Sequence, residues 1–119
     1  MTQVGIDLLE IERLERAIER RPALAARLFT PGELDACHRR ARPGQHLAAR
    51  FCAKEAASKA LRLEVFRPLD FEVQAEGDDG APALLLHGVA GDRAREMSLS
   101  VSLSLTHTRG MAGAVVVAS

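Results

Sequence analysis

The sequence contains no tryptophan and no tyrosine, and four phenylalanines leave the 119 residues with an aromatic content of 3%. Few platforms are therefore available for stacking bases, which argues against RNA binding as the main function. The formal net charge is zero, from 16 basic and 16 acidic side chains, so the basic excess typical of nucleic-acid-binding proteins is also missing. Selectivity for a charged partner must come from local clusters.

The two cysteines, Cys37 and Cys52, lack the spacing of a zinc ribbon, and two thiols make a disulfide framework improbable. We therefore expect free thiols in a reducing compartment. No window approaches 18 uninterrupted apolar residues, and the N-terminus carries Asp7 without the basic and apolar regions of a signal peptide. These absences predict a cytoplasmic protein without a membrane segment. A chain of this length with 47% hydrophobic residues is expected to form a single domain over residues 1–119.

The first half of the chain predicts a short strand followed by helices. The predicted strand begins at Val4 and ends at Asp7. Apolar residues at helical spacing then predict a helix that ends at Pro22. Residues 23–29 continue as a short helical piece, and Thr30-Pro31-Gly32-Glu33 has the composition of a capping box that starts another helix. Residues 45–63 contain no glycine or proline and many alanines, which predicts the longest helix, close against a sheet.

The second half predicts antiparallel strands. Residues 71–87 have the pattern of a hairpin with turn residues at 77–82. Apolar residues then alternate with Ser or Thr from Met97 to Thr106, which predicts a strand with one buried face, and residues 112–117 return as its partner. The predicted fold class is α+β, in which a two-layer antiparallel sheet packs on one long helix.

Three places carry residues suited to chemistry. Asp7 is an acid at the end of an apolar strand, although it is as well suited to capping a helix that begins at Leu8. Glu55 is flanked on the long helix by the only two lysines, Lys54 and Lys59. Periodicity alone favours a surface ion pair between Glu55 and Lys59, whereas a lysine retained in an arginine-rich chain suits a phosphate contact. His107 follows Thr106 at a strand end, where a lone histidine is usually an ordinary surface group.

Two carboxylates on separate elements, a lysine near one of them and polar groups at a strand end are the parts of a one-metal phosphoryl-transfer site. Magnesium takes one or two carboxylates together with waters and substrate phosphates. The sequence contains no P-loop, no G-x-G-x-x-G and no H-E-x-x-H motif, so nucleotide-loop and zinc-protease interpretations lack support.

Four sequence segments resemble motifs of the holo-acyl-carrier-protein synthases, the small 4'-phosphopantetheinyl transferases, and they occur in the same order as in that family. Val4–Arg13 is similar to the family's G-I/L-D-x-x-x-I/L-x-R opening, and Phe29–Leu34 to its F-T-x-x-E-L segment. Phe51–Ala60 resembles the F-x-x-K-E-A-x-x-K-A helix, and Ser104–Thr108 the S-L/I-S/T-H-T strand end. Together these segments span residues 4–108, which makes the match specific.

The resemblance implies transfer of the phosphopantetheine arm of coenzyme A to a serine of apo acyl carrier protein, with release of adenosine 3',5'-bisphosphate. Asp7 and Glu55 would hold Mg2+ with the coenzyme diphosphate, and Lys59 would bind phosphate and offset leaving-group charge. The serine proton would leave through a metal-bound water or through Glu55, and the sequence leaves both open. Positions that line the coenzyme site in the family are matched by Arg50, Pro82, Thr106 and His107.

The family forms trimers with active sites between subunits, so the resemblance also implies a homotrimer. The expected docking face for an acidic carrier helix is Arg13, Arg16 and Arg20, which recur at i, i+3 and i+7. Intrahelical pairing with neighbouring glutamates is an equal alternative for Arg16 and Arg20, whereas Arg13 carries the motif match.

The chain departs from the family pattern in three places. The lysine helix is followed by residues 61–68 without the usual glycine-rich turn, the common G-K/R-P turn is Gly80-Ala81-Pro82, and the aromatic residue after the histidine strand is replaced near Met111. Two other functions stay open on the sequence. One is a non-enzymatic α+β binding module whose arginine-rich first helix recognises an acidic protein or RNA, and the other is a subunit that binds coenzyme A without turnover.

Overall fold

A computed structural model of the chain describes residues 1–76 and 81–119. Five strands and five helices follow one another in these segments, with a single 3-10 turn at Pro68–Asp70 before β2. In chain order the elements are β1 (Gln3–Glu10), α1 (Ile11–Arg20), α2 (Leu24–Leu28), α3 (Pro31–His38), α4 (Pro43–Ala60), β2 (Phe71–Glu76), β3 (Ala81–Leu86), α5 (Gly88–Glu96), β4 (Val101–His107) and β5 (Met111–Ala118).

All strand pairs are antiparallel, and they form two sheets. The larger sheet has the order β1-β5-β4, and the smaller one is the hairpin of β2 and β3. The long helix α4 packs across the inner face of the larger sheet and against β2. The predicted α+β class, with antiparallel strands on one long helix, is therefore confirmed. No helix in the described segments is both long enough and apolar enough to span a bilayer.

Small residues let α4 lie directly on β1. The alanines Ala53, Ala56, Ala57 and Ala60 are all fully buried. A Cβ atom placed on Gly5 of β1 would lie 1.8 Å from the carbonyl oxygen of Ala56. Because only a hydrogen fits there, Gly5 and the alanines together set the close approach of helix to strand. This approach brings the C-terminal half of α4 beside the residues that follow Gly5.

The capping box at α3 is confirmed, and its glutamate has a second role. Thr30 Oγ1 accepts from the Glu33 backbone N–H at 3.2 Å, and the Glu33 carboxylate accepts from the Thr30 N–H at 2.9 Å. The same carboxylate accepts from Lys54 Nζ at 2.7 Å, and both side chains are fully buried. Lys54 Nζ also donates to the carbonyls of Pro68 and Phe71 at 3.0 and 2.7 Å.

Lys54 is therefore a buried link between α3, α4 and the start of β2. Its position next to Glu55 in the sequence gave no sign of this burial. Burial lowers the pKa of the Lys54 ammonium, while the hydrogen bond and negative charge of Glu33 oppose this effect.

Several predicted boundaries differ from the structure. The first strand does not end at Asp7 but continues to Glu10, because β5 pairs with it along its whole length, and α1 begins only at Ile11. Asp7 is consequently not the N-cap of a helix, a position that Glu10 occupies. The longest helix covers 43–60 rather than 45–63.

The region before β4 also differs. The alternating pattern predicted a strand from Met97, but Met97 is the C-cap of α5, and β4 begins at Val101. Helix α5 escaped the sequence analysis because Gly88 and Gly91 weaken its helical pattern, and small buried residues rather than a broad apolar stripe attach it to the core. The hairpin of residues 71–87 is confirmed in its pairing, whereas residues 77–80 of its predicted turn lie outside the described segments.

Candidate active site

The two carboxylates singled out from the sequence lie together where α4 crosses β1. Asp7 is in the middle of β1, paired with Ala114, and its side chain is directed to α4. The negative charge of Asp7 contributes to raising the pKa of Glu55, so the two carboxyl groups interact. They come from segments far apart in the chain, and only the packing of α4 on β1 brings them to one place.

Lys59 completes this group. Its Nζ donates to the carbonyl oxygen of Ile6 at 3.1 Å and lies 3.4 Å from Asp7 Oδ1. Among the described residues, Lys59 forms this cross-element pair and no surface pair with Glu55, so the alternative of an i,i+4 pair is wrong. The Lys59 side chain is 55% exposed, whereas that of Asp7 is only 20% exposed. The ammonium is therefore placed at the mouth of the site, where a ligand from solvent would meet it.

The close approach of the Asp7 and Glu55 carboxyl groups is electrostatically unfavourable. Burial and then the charge of Asp7 raise the pKa of Glu55, and Lys59 only partly opposes them. Beneath the pair, Cys52 donates from its buried thiol to the Ala112 carbonyl at 3.5 Å. Burial, together with the charge of Asp7 and a hydrogen bond to it, raises the pKa of Cys52 to about 12, so this thiol stays protonated. The carboxylates of Asp7 and Glu55 converge next to the uncharged thiol of Cys52. This arrangement favours binding of a cation between the two carboxylates.

The described residues hold no cluster of three or more His, Cys, Asp or Glu side chains that could bind a metal. Two carboxylates nevertheless fit Mg2+, because this ion keeps several waters and takes further ligands from substrate phosphates. The excess negative charge of the Asp7 and Glu55 pair fits a divalent cation better than the single ammonium of Lys59.

A second group of candidate residues lines a pocket of about 300 Å³ between the N-terminal half of α4, β4 and the β2–β3 hairpin. Arg50 and Pro82 both line it, together with Arg40 and His46. The Arg50 Nε atom is buried and has no hydrogen-bond partner among the described residues. An orphaned guanidinium nitrogen in a basic pocket suits an anionic ligand such as a phosphate.

Arg40 and His46 line this pocket although they were not among the candidates from the sequence. His46 is one helical turn before Arg50, so its position was available from helical spacing, but Arg40 lies outside the regular helices and carried no signal. Burial and then the positive charges of Arg40, Arg50 and His107 lower the pKa of His46. Its lowered pKa thus reflects burial first, and only then the positive charge that converges at this pocket.

His107 and Thr106 lie at different places relative to that pocket. The exposed ring of His107 lies with its centroid 6.2 Å from that of His46, at the pocket's rim. Thr106 instead belongs to the outer face of the larger sheet, where it borders a depression of about 280 Å³ with Ile6 and Leu8. The structure thus brings Arg50, Pro82 and His107 together, but it does not bring Thr106 to them within one chain.

The two groups of residues also lie apart. Asp7 lies on β1 and the pocket lies against β4, and these are the two edge strands of the larger sheet. A ligand that used both groups would have to reach from one edge of the sheet to the other, or would have to meet the second group on a neighbouring copy.

The predicted docking arginines lie on the exposed surface of α1. Arg13, Arg16 and Arg20 border a shallow depression with Glu10 and Glu12. Arg16 pairs with Glu12 at 2.6 Å, as the intrahelical alternative predicted. Arg13 and Arg20 form no ion pair with any residue of 1–76 or 81–119, so their charges stay available to a partner.

Comparison with known proteins identifies the family. A family model described as the 4'-phosphopantetheinyl transferase superfamily matches residues 3–112. The chain belongs to this superfamily. The holo-acyl-carrier-protein synthase of Moorella thermoacetica is 47% identical over 118 residues, which cover 97% of this chain and 91% of that protein.

Solved structures agree with this assignment to the superfamily. The Helicobacter pylori holo-acyl-carrier-protein synthase in complex with coenzyme A has a TM-score of 0.83 and 30% identity, over 98% of this chain and 99% of that one. The Neisseria meningitidis holo-acyl-carrier-protein synthase has a TM-score of 0.85 and 30% identity, over 98% and 97% of the two chains. The superfamily member described here is an enzyme of the holo-acyl-carrier-protein synthase type, as its four motifs predicted.

Proposed function

We propose that this enzyme transfers the 4'-phosphopantetheine arm of coenzyme A to a serine of apo acyl carrier protein. The serine oxygen forms a bond to the phosphorus that carries the pantetheine arm, and the bond from that phosphorus to adenosine 3',5'-bisphosphate breaks. The proton of the serine hydroxyl would leave to Glu55 or to a water. The observation that carries the proposal is the convergence of Asp7, Glu55 and Lys59 from β1 and α4. The coenzyme A complex of a structural relative supports the choice of substrate.

Each member of this group has a role that its position supports. Asp7 and Glu55 would hold Mg2+, which when bound neutralises charge on the coenzyme diphosphate. Lys59 is exposed enough to leave its weak 3.4 Å contact with Asp7 and to meet a phosphate oxygen. There its ammonium would offset the charge that accumulates on the departing bisphosphate. Cys52, fully buried and protonated, contributes no charge to the site.

The basic pocket at the β4 edge is our proposed site for the nucleotide end of coenzyme A. Arg50, Arg40 and the histidines at 46 and 107 supply positive charge, and Pro82 supplies an apolar wall. This part of the proposal rests on the unsatisfied Arg50 Nε atom and on the excess of cations there. Thr106 would contact the coenzyme from the outer face of the sheet.

A homotrimer with sites between subunits would unite the β1 group of one copy with the β4 pocket of another. The described chain supports such an assembly by its exposed apolar residues, since Val4, Ile6 and Leu8 are 59%, 68% and 66% exposed. These side chains lie on the outer face of β1, a patch that another copy would cover. Leu103 and Leu105 of β4, in contrast, pack against the core.

The carrier protein would dock on α1. Its acidic helix would meet Arg13 first, because Arg16 is already paired with Glu12 within the same helix. Docking there would bring the carrier protein close to β1, which leads directly into α1 at Glu10. We propose that residues 1–119 form one domain and that the enzyme works in the cytoplasm, where coenzyme A and carrier proteins meet.

One assay tests the proposed function. The enzyme is incubated with coenzyme A, apo acyl carrier protein and Mg2+, and adenosine 3',5'-bisphosphate is quantified together with the mass of the carrier protein. We expect stoichiometric release of the bisphosphate with a matching gain in carrier mass, and loss of both when the metal is chelated. Binding of coenzyme A without release would favour the non-catalytic subunit, and no binding of coenzyme A would favour the module that recognises an acidic partner.

A further inference from the structure

The buried carboxylate of Glu33 accepts hydrogen bonds from three donors. Lys54 Nζ donates to its Oε1 atom at 2.7 Å, and the backbone N–H of Thr30 donates to the same atom at 2.9 Å. The backbone N–H of Val73 donates to Oε2 at 2.9 Å. Only the lysine among these donors carries a charge, so Lys54 is the group that neutralises Glu33.

A second cation, Arg50, lies close to Glu33. Both residues line a depression of about 260 Å³ between α3 and β2. Burial raises the pKa of the Cys37 thiol, and the charges of Arg50 and Glu33 then act on that pKa in opposite directions, so both charges are near this thiol. The Glu33 carboxylate is therefore within electrostatic reach of Arg50 as well as of Lys54.

Arg50 is nevertheless not paired with Glu33. It forms no ion pair with any residue of the described segments, and its buried Nε atom has no hydrogen-bond partner there. Arg50 also lines the basic pocket at the β4 edge. Lys54 follows Arg50 by four residues within α4, so the two cations lie on one face of this helix. One of them is used inside the fold, and the other is left to the pocket.

The charge of Lys54 accounts for this difference. A buried carboxylate without a cation attracts the nearest remaining positive charge, because electrostatic attraction is strong where water is excluded. Without Lys54, Glu33 would draw the Arg50 guanidinium toward itself and away from the pocket. Its uncompensated negative charge would also lower the positive potential of the pocket. Both effects would weaken the binding of an anionic ligand.

We propose that Lys54 is a positioning residue for coenzyme A binding, which keeps the Arg50 guanidinium available to a phosphate group by neutralising Glu33. This inference rests on the proposed function, which places the nucleotide end of the coenzyme in the basic pocket. Lys54 itself does not touch the coenzyme, because its ammonium is fully buried and donates to Glu33 and to the carbonyls of Pro68 and Phe71.

A double-mutant cycle tests whether Lys54 acts through Arg50. Coenzyme A affinity is measured by calorimetry for the parent, Lys54→Met, Arg50→Gln and the variant with both changes, and urea unfolding gives the folded fraction of each. We expect each single variant to bind about tenfold more weakly. Adding Lys54→Met to Arg50→Gln should cause no further loss, because the arginine that Lys54 protects is already gone. Equal losses from Lys54→Met in both backgrounds would show that Lys54 only stabilises the fold, and would overturn the inference.

Removal of the Glu33 charge gives a second test, which does not depend on the folding of Lys54→Met alone. The variant that combines Glu33→Gln with Lys54→Met has no buried carboxylate to attract Arg50. Its coenzyme A affinity should stay within about twofold of that of Glu33→Gln and of the parent, even where its stability is lower than that of the parent. A loss of about tenfold relative to Glu33→Gln would overturn the role of Lys54 as the neutralising group.

Release of adenosine 3',5'-bisphosphate by the parent is measured in parallel. If the parent binds coenzyme A and turns over while the variants depart from this pattern, only the present inference fails. Unchanged affinity in Arg50→Gln would remove Arg50 from the binding site and would overturn the inference with it. A parent that neither binds coenzyme A nor turns over refutes the proposed function as well.

Discussion

Replacing Lys54 by methionine should destabilise the fold far more than replacing the other lysine of the chain. Lys54→Met keeps a long unbranched side chain but removes an ammonium that is fully buried and donates to Glu33, Pro68 and Phe71. The Glu33 carboxylate then stays buried without its cation, although it still accepts from the backbone of Thr30 and Val73.

The magnitude follows from these contacts. Removing one partner of a buried ion pair costs about 3–5 kcal/mol, because the other charge is left uncompensated. Two carbonyl oxygens also lose their lysine donor, at about 1–3 kcal/mol for each acceptor left unsatisfied. The apolar packing of the methionine stem offsets part of this cost, so we expect a loss of about 4 kcal/mol. Small domains have only about 5–15 kcal/mol of stability, so the variant should be close to unfolding.

Urea unfolding followed by circular dichroism measures this loss. The matched control is Lys59→Met, which removes an ammonium that is 55% exposed and should cost less than about 1 kcal/mol. The double variant Lys54→Met with Glu33→Gln should recover part of the lost stability, because no charge is then left buried. A loss below about 1 kcal/mol in Lys54→Met, or equal losses at the two lysines, would refute the burial of this pair.

Four further predictions concern the site and its support. Asp7→Ala and Glu55→Gln should each lower metal-dependent transfer by about 100-fold or more with unchanged circular dichroism, and near-parental turnover in either variant would contradict the proposed magnesium site. Lys59→Ala should raise the barrier to transfer by about 2 kcal/mol, measured as kcat at saturating coenzyme A, and an unchanged rate would return this lysine to a surface role. Gly5→Ala should cost at least about 1–3 kcal/mol in urea unfolding, because its Cβ would lie 1.8 Å from a carbonyl of α4, and parental stability would disprove the close packing. Arg13→Glu should slow association with the carrier protein in stopped-flow experiments, as should a rise in salt from about 50 to 500 mM, and a selective loss of coenzyme A affinity would show that the docking face is misplaced.

Local patterns in the sequence predicted most of the elements. The capping box at Thr30 works at short range, because its partners are three residues apart, and it formed as expected. The alanine-rich helix and the β2–β3 pairing also follow from periodicity and from a turn between two apolar runs. Asp7, Glu55 and Lys59 were candidates because of residue type and motif resemblance, and the structure brings them together. Their roles in catalysis stay predictions.

Periodicity was insufficient where a partner far away in the chain decides the outcome. Strand β1 extends to Glu10 because β5, from the other end of the chain, supplies hydrogen bonds along it. The alternating residues from Met97 to Ser100 have a strand-like pattern, yet the turn after α5 occupies them, with Ser98 in a left-handed conformation. Hydrogen bonds between distant segments leave no local trace, so these boundaries required the tertiary structure.

The two lysines of α4 illustrate the difference between what local sequence and what tertiary contacts determine. The sequence by itself determined that both lie on one helix beside Glu55, because helical spacing and composition are local properties. Only the tertiary structure decided that Lys54 is buried against Glu33, 21 residues away, while Lys59 reaches Asp7, 52 residues away. The physical reason is that the free energy of a charge depends on its solvent exposure and on its neighbours, and packing of α4 between β1 and α3 sets both.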